Sequence, residues 1–147
     1  MSWSEHLEQL MGALAHELDL EALEFDEDNM CMLHGEAGMS LALLLDESDQ
    51  SLSLAARIIS IPDTDRAALC EKLLKMNFLL LETRGNTLSI DEEGREVVVC
   101  RQLALAGSHP AEFVQQVLNF LLLSSDLRER LTPVPGATEA KGNWIAG

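Results

Sequence analysis

The chain has no tyrosine, few aromatics of any kind (4%), and only 10 Lys+Arg against 25 Asp+Glu, a formal net charge of −15. A surface this short of positive charge repels phosphate, so nucleic acid and anionic membranes are disfavoured and partners with basic segments are favoured. Three cysteines, with no Cys-x-x-Cys pair, do not make a disulfide framework and fit a reducing compartment. The stretch MSWSEHLEQLMG lacks a basic leader and an unbroken apolar run, so no secretory signal is read there. No stretch reaches the roughly 18 apolar residues that a membrane span requires. The expectation is a soluble cytoplasmic protein with no nucleic-acid partner and no membrane insertion.

Apolar residues are 47% of the 147, one domain's worth of chain with material for a real core. Trp3, Leu7, Leu10, Met11, Leu14 and Leu18 recur at helical spacing, with Ser2 or Ser4 as N-cap. Met30–Leu33, Met39–Leu45 and Ser51–Ile61 read as three strands in a meander, separated by a glycine-bearing stretch and a polar turn. Pro62-Asp63 ends the third strand, and Asp63 or Thr64 is expected to cap a helix that presents Leu69, Cys70, Leu73, Leu74 and Met76. The segment Phe78–Glu82 leads into Thr87–Ile90. Asp91-Glu92-Glu93-Gly94 then reads as a hairpin turn into a Val-rich strand, 96–105. Gly107-Ser108 is expected to cap a last helix, with Pro110 in its first turn and Phe113, Val117, Phe120, Leu121 and Leu127 as its stripe. The order α-β-β-β-α-β-β-α predicts an α+β fold with a twisted, mostly antiparallel sheet, in a domain spanning 1–131 followed by a flexible tail, 132–147.

The stretch EFDEDNMCML invites a ligand reading. A calcium loop started at Asp26 has Asp28 at its third position, but Met30 and Cys31 stand at the fifth and sixth, where a ligand and a glycine are required. A solvated acidic turn is the better reading. Cys31 and His34 form a lone Cys-x-x-His pair, while zinc needs four ligands, and Cys70 and Cys100 look like small buried hydrophobes. No nucleophile elbow or phosphate loop occurs, and His6, His16, His34 and His109 are scattered. No catalytic residue, metal site or cofactor is assigned; a thiol or metal enzyme built on Cys31 and His34 is the weakest of the readings.

What stands out is an excess of apolar surface. Along Met30–Leu33 both strand faces are hydrophobic, and Leu41–Leu45 and Phe78–Leu81 do not alternate either. One face of a small antiparallel sheet can meet water, so the excess predicts an oligomer interface and a docking groove. Methionines suit such a groove because the flexible thioether repacks around different partners.

Together, HLEQLMGALAHELDL leading into EFDEDNMCML, the LALLLD strand, LLKMNFLL and the hairpin TLSIDEEGREVVVCRQLAL resemble the class I type III secretion chaperones, the CesT/Tir chaperone family, over roughly residues 4–131. The resemblance implies a homodimer, without catalysis, that binds the N-terminal chaperone-binding segment of a secreted effector and keeps it soluble and ready for export. It implies effector contacts at Leu7, Met11, Met30, Met32 and Leu43, and dimer contacts at Leu69, Leu73, Met76, Val97 and Val99, with burial in the protomer core as the competing reading for each. A regulatory binding protein of the anti-activator type in the same secretion system is the alternative.

Overall fold

The structure is a computed structural model that describes residues 2–132 and 144–147. The eight expected elements occur in the expected order: α1 (Trp3–Glu17), β1 (Met30–His34), β2 (Ser40–Asp46), β3 (Ser51–Ser60), α2 (Arg66–Met76), β4 (Thr87–Ile90), β5 (Glu96–Ala104) and α3 (Pro110–Leu131). Short 3-10 turns lie at Glu36–Gly38 and Phe78–Leu80, and a two-residue strand, β6 (Ile145–Ala146), is added at the end. The strands form one sheet in the order β4-β5-β3-β2-β1-β6, with every pairing antiparallel.

Local chemistry explains the boundaries. Ser2 caps α1 by accepting a hydrogen bond from the Glu5 N–H at 3.1 Å, as a hydroxyl before a helix should. Asp26 organises the acidic turn: its Oδ1 accepts from the N–H groups of Asp28 and Met30, each at 2.9 Å, and so starts β1. Asp91 does the same for the β4–β5 hairpin, accepting from the Arg95 N–H at 2.7 Å, while Gly94 supplies φ +69°. Two helix starts differ from expectation. The cap of α2 is Asp65, in left-handed conformation with no side-chain cap bond, and not Asp63 or Thr64. The cap of α3 is His109, whose Nδ1 accepts from the Ala111 N–H at 3.3 Å, with Pro110 at the first position as expected.

Strand register sorts the side chains. Cys31, Leu33, Leu41, Leu43, Leu45, Leu52, Leu54, Ala56, Val97, Val99 and Leu103 share one face and are all buried. On this face lie α1, through Leu10 and Leu14, and α3, through Phe113, Val117, Phe120 and Leu127. Full burial of a large apolar side chain contributes about 1.5–3 kcal/mol, so this layer dominates stability. Two polar ties anchor the helices: His6 Nε2 lies 2.9 Å from the Leu105 carbonyl, and Arg128 Nε donates to the Ile58 carbonyl at 3.1 Å.

The tail carries a short strand at its far end. Residues 133–143 of the expected flexible segment lie outside the described residues. Trp144, by contrast, is buried, and Ile145 and Ala146 pair with His34 and Leu33 of β1. An indole with an apolar seat and an open strand edge with free backbone groups hold these residues in place.

Candidate partner-binding surfaces

Among the described residues no helix covers the opposite sheet face, and its residues fall in rows across the strands. Met30, Leu44, Ser53 and Gln102 are register partners, and so are Met32, Ala42, Ala55 and Cys100. Met30, Met32, Ala42, Ala55 and Cys100 are half-buried, and Leu44 is 43% exposed. The methionines stand on strand β1, and small side chains fill the middle of the sheet. The result is a face that is apolar along the Met32 row and partly polar along the Met30 row, with flexible methionines on its β1 side, suited to a segment of variable sequence.

A second surface lies where α2 passes into β4. Leu74 is 72% exposed and Leu81 73%, with Phe78 and Leu79 exposed to a similar degree and Leu80 somewhat less. Leu79 and Leu80 are held at φ 53° and 55°, a left-handed conformation that costs an L-residue about 1–2 kcal/mol. Five large apolar side chains concentrated in eight consecutive positions, 74–81, form a patch of the kind that marks an interface. The sequence signal was present in the unalternating Phe78–Leu81 run. Periodicity could not say which of its residues face outward.

Of the residues assigned to effector contact, Met30 and Met32 lie on the open face, and Leu7 is half-buried on α1. Leu43 and Met11 are inside the protomer core, because Leu43 has the strand parity of the helix-covered face and Met11 lies on the inner stripe of α1. Of the residues assigned to the dimer, Val97 and Val99 are fully buried on that same face, and Leu73 and Met76 are buried by the packing of α2. Leu69 is half-buried and lines a cleft of about 720 Å³ between the start of α2 and the end of α3, together with Ile58, Pro62, Lys72 and Leu131. The exposed members of the α2 region are the neighbouring Leu74 and Phe78–Leu81.

The ligand readings can be judged geometrically. Cys31 and His34 are three positions apart on a strand, so their side chains leave opposite faces and do not converge. Burial pushes the Cys31 thiol up, against the effect of a hydrogen bond from the Glu24 backbone, the opposite of the shift that activates a thiol. Cys31 is the buried cysteine; Cys70 and Cys100, expected to be buried, are half-exposed. No group of three or more potential metal ligands occurs among the described residues. The carboxylates that depart from ordinary acidity hold turns: a hydrogen bond from the Ser48 hydroxyl lowers the pKa of Asp46, and the Arg95 backbone N–H that of Asp91. Among the described residues no helix is long and apolar enough to cross a membrane.

A helix-backed antiparallel sheet with one open face and an exposed leucine patch is an architecture for binding polypeptide. Residues 9–128 match the Tir chaperone protein (CesT) family, and the chain belongs to it, among the type III secretion chaperones. The fold recurs in solved structures. One chain of the ExsC–ExsE complex aligns with TM-score 0.75 and 20% identity, over 92% of this chain and 100% of that one. A chain of the HopA1–SchA chaperone–effector complex aligns with TM-score 0.66 and 19% identity, over 88% and 98%. A chain from the Yersinia pestis complex of the type III secretion chaperone SycH with a stable fragment of YscM2 gives TM-score 0.62 and 15% identity, over 85% and 98%. A sequence search of curated proteins finds no match.

Proposed function

We propose that this chaperone is a cytoplasmic homodimer that binds the N-terminal segment of a secreted effector, holds it extended and soluble, and works by binding alone, without catalysis or cofactor. The observation that carries the reading is the presence, in a chain of this family, of two separate apolar surfaces left over after the protomer core is complete. The patch at Leu74 and Phe78–Leu81 takes a second copy, whose cover offsets the strain at Leu79 and Leu80. The open face around Met30, Met32 and Leu44 takes the effector, which meets Leu7 on α1 where it wraps round to the helix-covered side. A non-globular segment suits such a surface because it wraps a large area, adds strands to sheet edges and seats apolar side chains along its course. The net charge of −15 favours a client segment carrying basic residues.

The test is isothermal titration of the full chain with the N-terminal region of a secreted protein encoded beside it. Saturable binding at one segment per two copies is expected, with the segment still open to protease where it leaves the surface. A second reading, a regulatory binding protein of the anti-activator type, is favoured by the likeness to a chain of the ExsC–ExsE complex. Binding to a non-secreted regulator, with no secreted N-terminal region recognised, would select it.

A further inference from the structure

The two ends of the sheet are closed by different means. At the β4 edge, Asn77 takes the place of a neighbouring strand: its Oδ1 accepts from the Leu88 N–H at 2.8 Å and its Nδ2 donates to the Leu88 carbonyl at 2.9 Å. At the β1 edge the cover is backbone from the end of the chain. Ile145 and Ala146 pair antiparallel with His34 and Leu33, and the Gly147 N–H donates to the Met32 carbonyl at 3.1 Å. Further along β1, the Met30 carbonyl is already taken by the Asp26 N–H at 2.9 Å. The stretch of β1 open to strand addition is therefore the one that residues 145–147 occupy.

The hold on that edge is slight. Trp144 is the one buried member of the segment, 8% exposed, while Ile145, Ala146 and Gly147 are exposed. Its ring lies over Gly35, with carbons 2.8 Å from where a Cβ on that residue would stand. Its backbone ladder on β1 spans three residues, whereas β2 is held to β1 over five residue pairs.

We propose that residues 144–147 are a built-in competitor, which occupies the β1 edge until an extended polypeptide segment of a partner displaces it. The segment that fits runs antiparallel to β1, places a large apolar side chain over Gly35, and continues with unobstructed backbone N–H and C=O groups. The edge adjoins the open face, because Met32, whose carbonyl holds Gly147, turns its side chain onto that face. Identifying the partner as the effector rests on the proposed function, but the displaceable segment does not. Its effect is to weaken the apparent affinity by the fraction of time the edge is open, so that a segment in place nine-tenths of the time costs about tenfold.

A fluorescein-labelled peptide of residues 141–147, followed by fluorescence anisotropy, tests this on the full chain with no effector present. The peptide is expected to bind the Trp144→Ala chain at least about tenfold more tightly than the wild-type chain, whose own segment excludes it. A peptide with alanine in place of its tryptophan is expected to bind neither. Adding Gly35→Ala to Trp144→Ala is expected to abolish binding: Gly35 sits at φ −103°, ψ −174°, extended backbone that alanine accepts, so the new methyl blocks the seat without disturbing the fold. Ile145→Pro, which removes an edge N–H but keeps Trp144, is expected to admit the peptide to a smaller degree. Equal binding to wild-type and Trp144→Ala chains, no binding to a Trp144→Ala chain that melts cooperatively, or indifference to Gly35→Ala would overturn the proposal. So would a Trp144→Ala chain that fails to fold, since the segment would then be a fixed part of the core. None of these outcomes bears on whether an effector binds the open face.

Discussion

The open sheet face and the α2–β4 patch are both apolar, yet they are built differently. The sheet face is regular strand, its methionines half-buried among alanine and serine, and nothing in it is strained. The patch is irregular: two consecutive leucines sit in left-handed conformation and four large side chains are exposed by about seven-tenths. A surface of adaptable side chains on a relaxed scaffold tolerates varied sequences, which a client segment requires. A surface of rigid leucines in one costly conformation suits a single invariant partner, and a second copy of the chain is such a partner.

The interior behind both surfaces gives the largest expected effect and the control for the comparison. Leu43→Ala should lower stability by about 2–5 kcal/mol, read by urea denaturation, because it opens a cavity where the side chain is fully enclosed. If it weakened client binding without changing the denaturation midpoint, Leu43 would be a contact and the division between core and surface would be misplaced. Phe78→Asp with Leu81→Asp should weaken self-association by two or more powers of ten, about 3 kcal/mol, in sedimentation equilibrium, while the protomer keeps its far-UV spectrum. A dimer indifferent to that pair would mean that the patch serves something other than a second copy. Met30→Glu or Met32→Glu should weaken client binding by about tenfold to a hundredfold, 1.4–2.8 kcal/mol, and leave the dimer intact. Loss of the dimer instead would merge the two surfaces into one.

Acidification should distinguish them least. Asp46 and Asp91 both have lowered pKa values in the folded chain, through hydrogen bonds from Ser48 and from the Arg95 backbone. A carboxylate more acidic when folded contributes stability that is present above its unfolded value, roughly 3.9, and is lost as pH falls through the folded one. The β2–β3 and β4–β5 turns should therefore loosen only in that acid range. Asp91→Asn should flatten the acid limb of the melting curve slightly, and a loss of stability between pH 5 and 8 of that origin would contradict the assignment.

Much of this was legible in the sequence because each element carried its own signal. Helical spacing marked α1 and α3, and Asp91–Gly94 marked a hairpin. The parity of Met30–Leu33 separated the buried Cys31 and Leu33 from the outward Met30 and Met32. The candidate site was legible only in part. Val97, Val99 and Leu43 are as apolar as any interface residue, and which side of a strand the helices cover is decided by tertiary packing. The outward turn of Phe78–Leu81 goes with left-handed backbone at Leu79 and Leu80, and leucine gives no hint of that conformation. The pairing of Ile145 and Ala146 with β1 was equally hidden, since two residues are too few to show a period.

The division into two surfaces is tested most directly by native mass spectrometry of three full-length chains: wild type, Phe78→Asp/Leu81→Asp and Met30→Glu/Met32→Glu. The account predicts metal-free dimers for the wild type and the methionine variant, and a folded monomer for the Phe78/Leu81 variant. A wild-type monomer, with or without a bound metal ion, or a dimer lost through the methionines and kept through the leucine patch, would contradict it.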